Sequence, residues 1–123
     1  MPTIKTILTV DDSPTMRDLL RSELTKLGYR VIQAVDGEAG LETLRNEGAD
    51  IIITDINMPR LDGFGLIEGV RSDARNRAIP ILVLTTETDQ ALKDRARRAG
   101  ATGWIVKPFD PGKLADAIRR VAG

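Results

Sequence analysis

The run of four consecutive β-branched residues at positions 51–54, Ile-Ile-Ile-Thr, most constrains the fold of this chain. Such a run, without any polar alternation, is typical of a strand that is buried on both faces. Strands of this kind occur in parallel sheets whose two faces are both covered by helices. The run ends on a carboxylate, Asp55, and the chain then breaks at Asn57 and Pro59. The sequence therefore predicts an α/β fold with this strand near its centre.

Four further strands alternate with helices along the chain. Strands are predicted where short apolar runs are bounded by Gly, Pro or Asp, and helices where apolar residues recur every three or four positions. Besides the central run, the predicted strands cover residues 4–10, 29–34, 81–85 and 103–106. The helices are predicted to start at Ser13-Pro14, after Asp36-Gly37, after the loop 58–63, near Asp89 and at Asp110-Pro111. Alternating units of this kind form a doubly wound parallel sheet with helices on both faces.

Two of the helices carry specific expectations about packing. The first helix shows an apolar stripe that should face the core: Met16, Leu20, Leu24 and Leu27. The fourth helix, predicted over residues 89–99, has only a thin stripe: Leu92, Ala96 and Ala99. We therefore expect the fourth helix to be the least firmly held.

Acidic residues follow the first and third predicted strands. With five strands the common order is 2-1-3-4-5, which makes strands one and three neighbours and places Asp11, Asp12 and Asp55 at one edge of the sheet. Carboxylates within about 5 Å repel one another by several kcal/mol per pair at an effective dielectric of about 20. Protons or a cation must relieve this repulsion, and an all-oxygen site suits Mg²⁺. The alternatives are that Asp11 and Asp12 only cap the first helix and that Asp55 only ends its strand.

Two more strand ends point to the same edge. Thr85 ends the fourth strand and Lys107 follows the fifth. An ammonium there can pair with Asp55 before a reaction and with a phosphoryl oxygen afterwards. Each residue also has a plainer interpretation, as a strand-end threonine and as a solvated lysine, and only their joint placement favours a functional role.

The composition excludes several classes of protein. The 123 residues suffice for one domain, and we expect it to cover residues 1–123. Eighteen basic and eighteen acidic residues give zero formal net charge, whereas a nucleic-acid-binding protein is expected to carry a basic excess. The chain contains neither cysteine nor histidine, which excludes disulfides, thiol chemistry and histidine acid–base catalysis. No apolar run approaches the roughly 18 residues of a membrane span, and residues 1–5 lack a signal-peptide core. We therefore expect a cytoplasmic protein.

Five widely separated motifs, in a fixed order, resemble the receiver domain of two-component response regulators. They are Val-Asp-Asp-Ser at 10–13, Asp-Ile-Asn-Met-Pro at 55–59, Leu-Asp-Gly at 61–63, Leu-Thr at 84–85 and Lys-Pro-Phe at 107–109. The resemblance covers essentially the whole chain and is to the single-domain chemotaxis (CheY-type) branch, which Met16-Arg17 also resembles. It implies the flavodoxin-like strand order 2-1-3-4-5, for which chemotaxis receivers are a known example.

The resemblance also implies roles for the acidic residues. Asp55 is the phosphoacceptor, and its phosphodonor is a phosphohistidine on a separate histidine kinase. Asp11 and Asp12 bind Mg²⁺ together with Asp55, Asp11 by way of a water molecule, and the backbone carbonyl of Asn57 completes the metal site. A protein of this family promotes only its own phosphorylation and dephosphorylation and is not an enzyme with a separate substrate.

Further roles follow by position in the family. Thr85 and Lys107 contact the phosphoryl group, and the peptide bond before Pro108 is expected to be cis. Asn57 and Glu87 tune the rate of dephosphorylation. Trp104 stands where the family usually has a tyrosine or phenylalanine that moves with Thr85 as a switch, and it is a departure from the family pattern.

The output of such a switch is expected on the last third of the chain. Residues 87–123 carry eight basic against five acidic side chains, which is either an ordinary solvated face or a docking surface for an acidic partner peptide on the fourth helix, fifth strand and fifth helix. With no linker or effector domain in the sequence, we expect a monomer that signals by protein contact, with a flagellar-motor switch protein as the leading target. A receiver that serves only as a phosphate sink or adaptor is the alternative.

Two other functions fit the residues poorly. The glycines in Gly63-Phe64-Gly65 resemble a dinucleotide-binding loop, but they follow the third strand, and the carboxylates in the first βα turn would repel a pyrophosphate. An aspartyl-phosphate hydrolase would also use Mg²⁺ and an aspartate nucleophile. The chain has no room for the cap domain of such an enzyme, and the candidate aspartate follows strand three rather than strand one.

Overall fold

The computed structural model describes residues 6–122, which form one five-stranded parallel sheet in the order β2-β1-β3-β4-β5. The strands are β1 (Thr6–Val10), β2 (Arg30–Ala34), β3 (Ile51–Thr54), β4 (Ile81–Thr85) and β5 (Gly103–Val106). The predicted strand order is confirmed. Residues 4 and 5, which the sequence also assigns to the first strand, lie outside the described residues.

The helices lie close to their predicted positions. They are α1 (Pro14–Lys26), α2 (Gly37–Glu47), α3 (Gly63–Ser72), α4 (Gln90–Ala99) and α5 (Pro111–Ala122). The first four begin at side chains that accept a hydrogen bond from a backbone N–H group of the first turn: Ser13, Asp36, Asp62 and Asp89. A short 3-10 helix at Ala74–Asn76, after α3, was not predicted. Among residues 6–122, no helix combines the length and apolarity needed to cross a membrane.

The central strand β3 is buried on both faces, as its sequence predicts. Ile52 packs into a core formed with α2, α3 and α4, whereas Ile51 and Ile53 pack into a second core formed with α1 and α5. All four residues of β3 are buried. The burial fixes this strand in the middle of the molecule and leaves its carboxyl end at the sheet edge.

The predicted apolar stripe of α1 is correct except at its last member. Leu20 and Leu24 are buried and Met16 packs against them. Leu27, however, remains 45% exposed. The helix ends at Lys26, and Leu27 is the capping residue before Gly28, which has a positive φ of 94°. Because the backbone leaves the helical path there, the position is no longer on the buried face.

Helix α4 is thinly packed. Ala96 is the one fully buried residue among its ten, and Leu92 and Ala99 only pack against the edge of the core. The thin stripe read from the sequence is therefore confirmed.

The C-terminal end of α4 is held by an arginine that the sequence patterns do not single out. The Arg71 guanidinium donates hydrogen bonds to the carbonyl oxygen of Gly100 at 2.8 and 3.0 Å, and to those of Ile79 at 2.6 Å and Arg77 at 3.0 Å. Burial lowers the pKa of Arg71 from its usual value. This side chain thus ties the end of α3 to the end of α4 and to the entry of β4.

Candidate functional site

The carboxyl ends of β1 and β3 bring three carboxylates together. The two strands are paired in parallel, with Val10 opposite Thr54, so that the residues that follow them emerge side by side. Asp11, Asp12 and Asp55 each offer one oxygen, and these three oxygens lie within 4.8 Å of one another. The predicted convergence of the three aspartates is confirmed.

Lys107 bridges two of these carboxylates. Its Nζ donates to Asp55 Oδ2 at 2.8 Å and to Asp11 Oδ2 at 2.9 Å. The expected pairing with Asp55 is confirmed, and the second contact, with Asp11, was not predicted. Three carboxylates and one ammonium leave a formal charge of −2 at the site.

The environment of Lys107 fixes its charge. Burial on its own would lower the pKa of the ammonium, but the hydrogen bonds to Asp55 and Asp11, together with the attraction of their charges, outweigh burial and raise the pKa. Lys107 is therefore protonated at neutral pH. The peptide bond between Lys107 and Pro108 is cis, as the family resemblance implies.

The remaining oxygens of the two inner aspartates accept backbone hydrogen bonds. Asp11 Oδ1 accepts from the Ser13 N–H at 2.9 Å, and Asp55 Oδ1 accepts from the Ile56 N–H at 2.6 Å. Asp11 is buried, the side chain of Asp55 is 13% exposed and Asp12 is exposed. A half-open set of hard oxygen donors with a residual charge of −2 fits Mg²⁺, which retains several waters and needs few protein carboxylates.

Thr85 and Trp104, the expected switch residues, both form hydrogen bonds with the backbone of Glu87. Thr85 is buried at the end of β4, and its Oγ1 accepts from the Glu87 N–H at 3.4 Å. The Glu87 carboxylate accepts from Asn57 Nδ2 at 3.0 Å, and the Glu87 carbonyl accepts from Trp104 Nε1 at 3.2 Å. Asn57 and Glu87 are thus in direct contact. The family resemblance alone had linked these two residues, as those that tune dephosphorylation.

The bond from the Trp104 indole was not predicted. A half-buried indole N–H usually finds an acceptor, but the sequence does not show which one. Here the acceptor belongs to the loop between β4 and α4, so the indole is attached to the loop that Thr85 begins. A second contact that was not predicted is made by Arg17, whose guanidinium donates to the Asp11 carbonyl oxygen at 2.7 Å.

The last third of the chain presents two shallow grooves beside β5. A groove of about 320 Å³ lies between α4 and β5 and includes Lys93, Arg97 and Trp104 in its lining. A groove of about 440 Å³ lies between β5 and α5 and includes Lys113 and Arg120. Basic side chains line both grooves, and the second groove also includes Asp116, so that each lining has a basic excess, in agreement with that of this region.

Comparison with known proteins gives a consistent result. The family model described as the response regulator receiver domain matches residues 7–119. The chain is 42% identical over 119 residues to the chemotaxis protein CheY1 of Helicobacter pylori, covering 95% of this chain and 96% of that protein.

Solved structures agree with the sequence relatives. The structure of chemotaxis protein CheY4 of Vibrio cholerae is 39% identical and superposes with a TM-score of 0.92, covering 97% of this chain and 99% of that one. The receiver domain of a sensor histidine kinase from Pseudomonas aeruginosa, described with a magnesium ion coordinated in its active-site cleft, is 29% identical with a TM-score of 0.90, covering 98% and 99% of the two chains.

Proposed function

The chain belongs to the response regulator receiver domain family, and on this premise we propose that it is a phosphoacceptor switch of the chemotaxis type in which Asp55 is phosphorylated. One observation carries the proposal: the Asp55 carboxylate lies at an open sheet edge, close to Asp11 and Asp12, and accepts a hydrogen bond from Lys107. In this proposal residues 1–123 act as one receiver unit and as a monomer in the cytoplasm.

In the proposed reaction, a carboxylate oxygen of Asp55 attacks the phosphorus of a phosphohistidine on a separate kinase. The O–P bond forms as the P–N bond breaks, and the imidazole leaves with the bonding electron pair. Mg²⁺ would be held by Asp11, Asp12, Asp55 and the backbone carbonyl of Asn57. When bound, it supplies positive charge that offsets the charge of the transferring phosphoryl group.

Lys107 and Thr85 act on the product. Phosphorylation adds about two negative charges at Asp55. The Lys107 ammonium, which already donates to Asp55, can transfer that hydrogen bond to a phosphoryl oxygen. The Thr85 hydroxyl, which accepts from a backbone N–H, can at the same time donate to the phosphoryl group. Positioning and charge neutralisation are therefore the main contributions of the protein.

Substitution of the nucleophile tests this assignment. Asp55→Asn is expected to abolish labelling by a small phosphodonor or a histidine kinase in the presence of Mg²⁺. Asp73→Asn, which changes a helix-capping aspartate at the opposite end of the sheet, is the matched control and should label as the wild type does. Equal labelling of Asp55→Asn at the same position would refute the assignment.

The lifetime of the phosphorylated state depends on Asn57 and Glu87 in this proposal. Their side chains are joined by a hydrogen bond between the loop after β3 and the loop after β4 and would regulate the approach of water. We expect self-dephosphorylation within seconds to minutes. A phosphoprotein that survives overnight in Mg²⁺ buffer would contradict this expectation.

The signal is proposed to leave through the face formed by α4, β5 and α5. The basic grooves beside β5 fit an acidic partner peptide, and a flagellar-motor switch protein is the proposed target. Capture of partners by the phosphorylated and the unphosphorylated protein tests this output. If no target prefers the phosphorylated form, while the kinase still transfers phosphate to the chain, the protein is a phosphate sink.

A further inference from the structure

An ion pair joins the loop after β3 to the start of α2. Arg60 Nε donates to Asp36 Oδ2 at 2.7 Å. Asp36 is only 2% exposed, and its other oxygen accepts the Ala39 N–H at 2.8 Å as the N-cap of α2. The carboxylate is therefore held rigidly by the helix, so that it offers a fixed acceptor to the guanidinium of the loop.

The backbone makes a second contact between the same two segments. The Gly37 N–H donates to the Leu61 carbonyl oxygen at 2.9 Å. A Cβ atom on Gly37 would lie 2.4 Å from that oxygen, a distance at which any larger residue would push the loop away. The loop 56–62 is thus fastened to the start of α2 by the side chain of Arg60 and by the backbone of Leu61.

Arg60 itself has an unusual backbone conformation. Its φ is +67°, and the Leu61 N–H donates to the Pro59 carbonyl oxygen at 2.8 Å, closing a three-residue γ-turn around Arg60. Residues with a Cβ atom seldom adopt this conformation, and it persists where surrounding contacts hold it. The ion pair with Asp36 is such a contact.

We propose that Arg60 is a positioning residue that, through Asp36, holds the loop so that the Asn57 backbone carbonyl faces the acidic site. Asp55 is already fixed by its own bond to β1, from its N–H to the Val10 carbonyl oxygen at 3.0 Å. The part of the metal site that depends on the loop is therefore Asn57. This inference rests on the proposed Mg²⁺-dependent function and assigns a role to two residues that do not touch the ion.

The direction of the change in Mg²⁺ affinity separates positioning from simple electrostatics. Arg60→Gln removes a positive charge from the neighbourhood of an acidic site, so that Coulomb attraction alone predicts tighter Mg²⁺ binding. Loss of positioning predicts weaker binding, by about tenfold, the lower end of the effect of removing an outer-shell partner. We therefore expect the dissociation constant for Mg²⁺, measured by amide chemical shifts in a magnesium titration, to rise.

Three further variants complete the test. Arg60→Lys keeps the charge and should restore part of the affinity, whereas Arg60→Gly removes the side chain but favours the left-handed backbone, so it remains folded and should still bind Mg²⁺ more weakly. Arg75→Gln breaks an Arg–Asp pair of the same kind, with the N-cap Asp73, and should leave the affinity unchanged.

The outcomes distinguish this inference from the proposed function. If the wild-type protein binds Mg²⁺ and both Arg60→Gln and Arg60→Gly bind it as tightly or more tightly, the positioning role is wrong and the phosphoacceptor function stands. If the wild-type protein shows no Mg²⁺ binding at the three aspartates, the proposed function fails, and this inference fails with it.

Discussion

Replacement of Lys107 by methionine should make the protein bind Mg²⁺ more tightly. The ammonium donates to Asp11 Oδ2 and Asp55 Oδ2, while the other oxygen of each aspartate accepts a backbone N–H. A divalent cation must therefore compete with Lys107 for the same two oxygens. Because the pKa of Lys107 is raised from 10.5, this competition is constant throughout the neutral pH range.

The magnitude follows from the charges at the site. At an effective dielectric of about 20, each Lys–Asp contact at 2.8–2.9 Å contributes about 6 kcal/mol of attraction. Removing the ammonium and its two carboxylate partners from water costs several kcal/mol for each ion, which offsets most of this attraction. The two charge-assisted hydrogen bonds of Lys107 that Mg²⁺ displaces then contribute about 1.5 kcal/mol net, or about tenfold in the dissociation constant.

The assay is a Mg²⁺ titration, followed by calorimetry or amide chemical shifts, at about pH 7, where lysine is charged. Lys107→Arg retains the charge and is the matched control, for which we expect affinity close to that of the wild type. Without Mg²⁺, Lys107→Met should be less stable than the wild type because two aspartates lose their partner. Mg²⁺ at a hundredfold excess over its dissociation constant should then add about 2.7 kcal/mol to the free energy of unfolding. Equal or weaker Mg²⁺ binding by Lys107→Met would show that the lysine organises the carboxylates and does not compete for them.

Three other predictions test separate parts of the structure. Thr9 is buried and its hydroxyl has no hydrogen-bond partner within residues 6–122, so Thr9→Val should raise the free energy of unfolding by about 1 kcal/mol, or about 4 °C in Tm, in urea or thermal melts. Thr54→Val, at an equally buried threonine whose hydroxyl donates to a backbone carbonyl at 2.8 Å, should instead lower it. The pKa of Asp36 is lowered from 3.8, first by a backbone N–H of α2 and then by a guanidinium. Its contribution to stability is therefore present above pH 3.8 and is lost as the pH falls through the lowered pKa. In acid titrations of unfolding, the difference in stability between the wild type and Asp36→Asn should shrink over that pH range. Phosphorylation or a beryllofluoride mimic should change the emission of Trp104, the only tryptophan, and its accessibility to a soluble quencher, and Thr85→Ala should weaken that change. Unchanged emission and quenching in a fully phosphorylated protein would make Trp104 a static packing residue.

The parts of the site that were predictable are those that follow from the sheet. The apolar run of β3 fixes that strand in the centre, and parallel strands end at a common edge, so the convergence of Asp11, Asp12, Asp55 and Lys107 follows from the strand order. The strand order itself came from known folds and the family resemblance. The charged character of this edge is therefore predictable from the sequence.

Contacts between loops were not predictable in this way. The ion pair of Arg60 with Asp36 spans 24 residues and lies outside any periodic pattern. The attachment of Trp104 to the Glu87 carbonyl depends on a loop conformation that no spacing of residues determines. Leu27 shows a different kind of error. Its spacing matches the apolar stripe of α1, but the helix ends at Lys26, so that Leu27 does not lie on the buried face.

Because Arg71 holds the Gly100 end of α4 while the body of the helix is thinly packed, α4 can pivot about that end more easily than it can slide. The helix has ten residues, a length of about 15 Å. A displacement of about 1.5 Å at its Asp89 end therefore corresponds to a tilt of about 6° for a helix of that length. The amplitude of such a tilt is greatest near Gln90 and vanishes near Ala99. The affinity of a partner that binds the first turn of α4 would therefore depend on the conformation of the loop after β4. The affinity of a partner that binds the last turn would not.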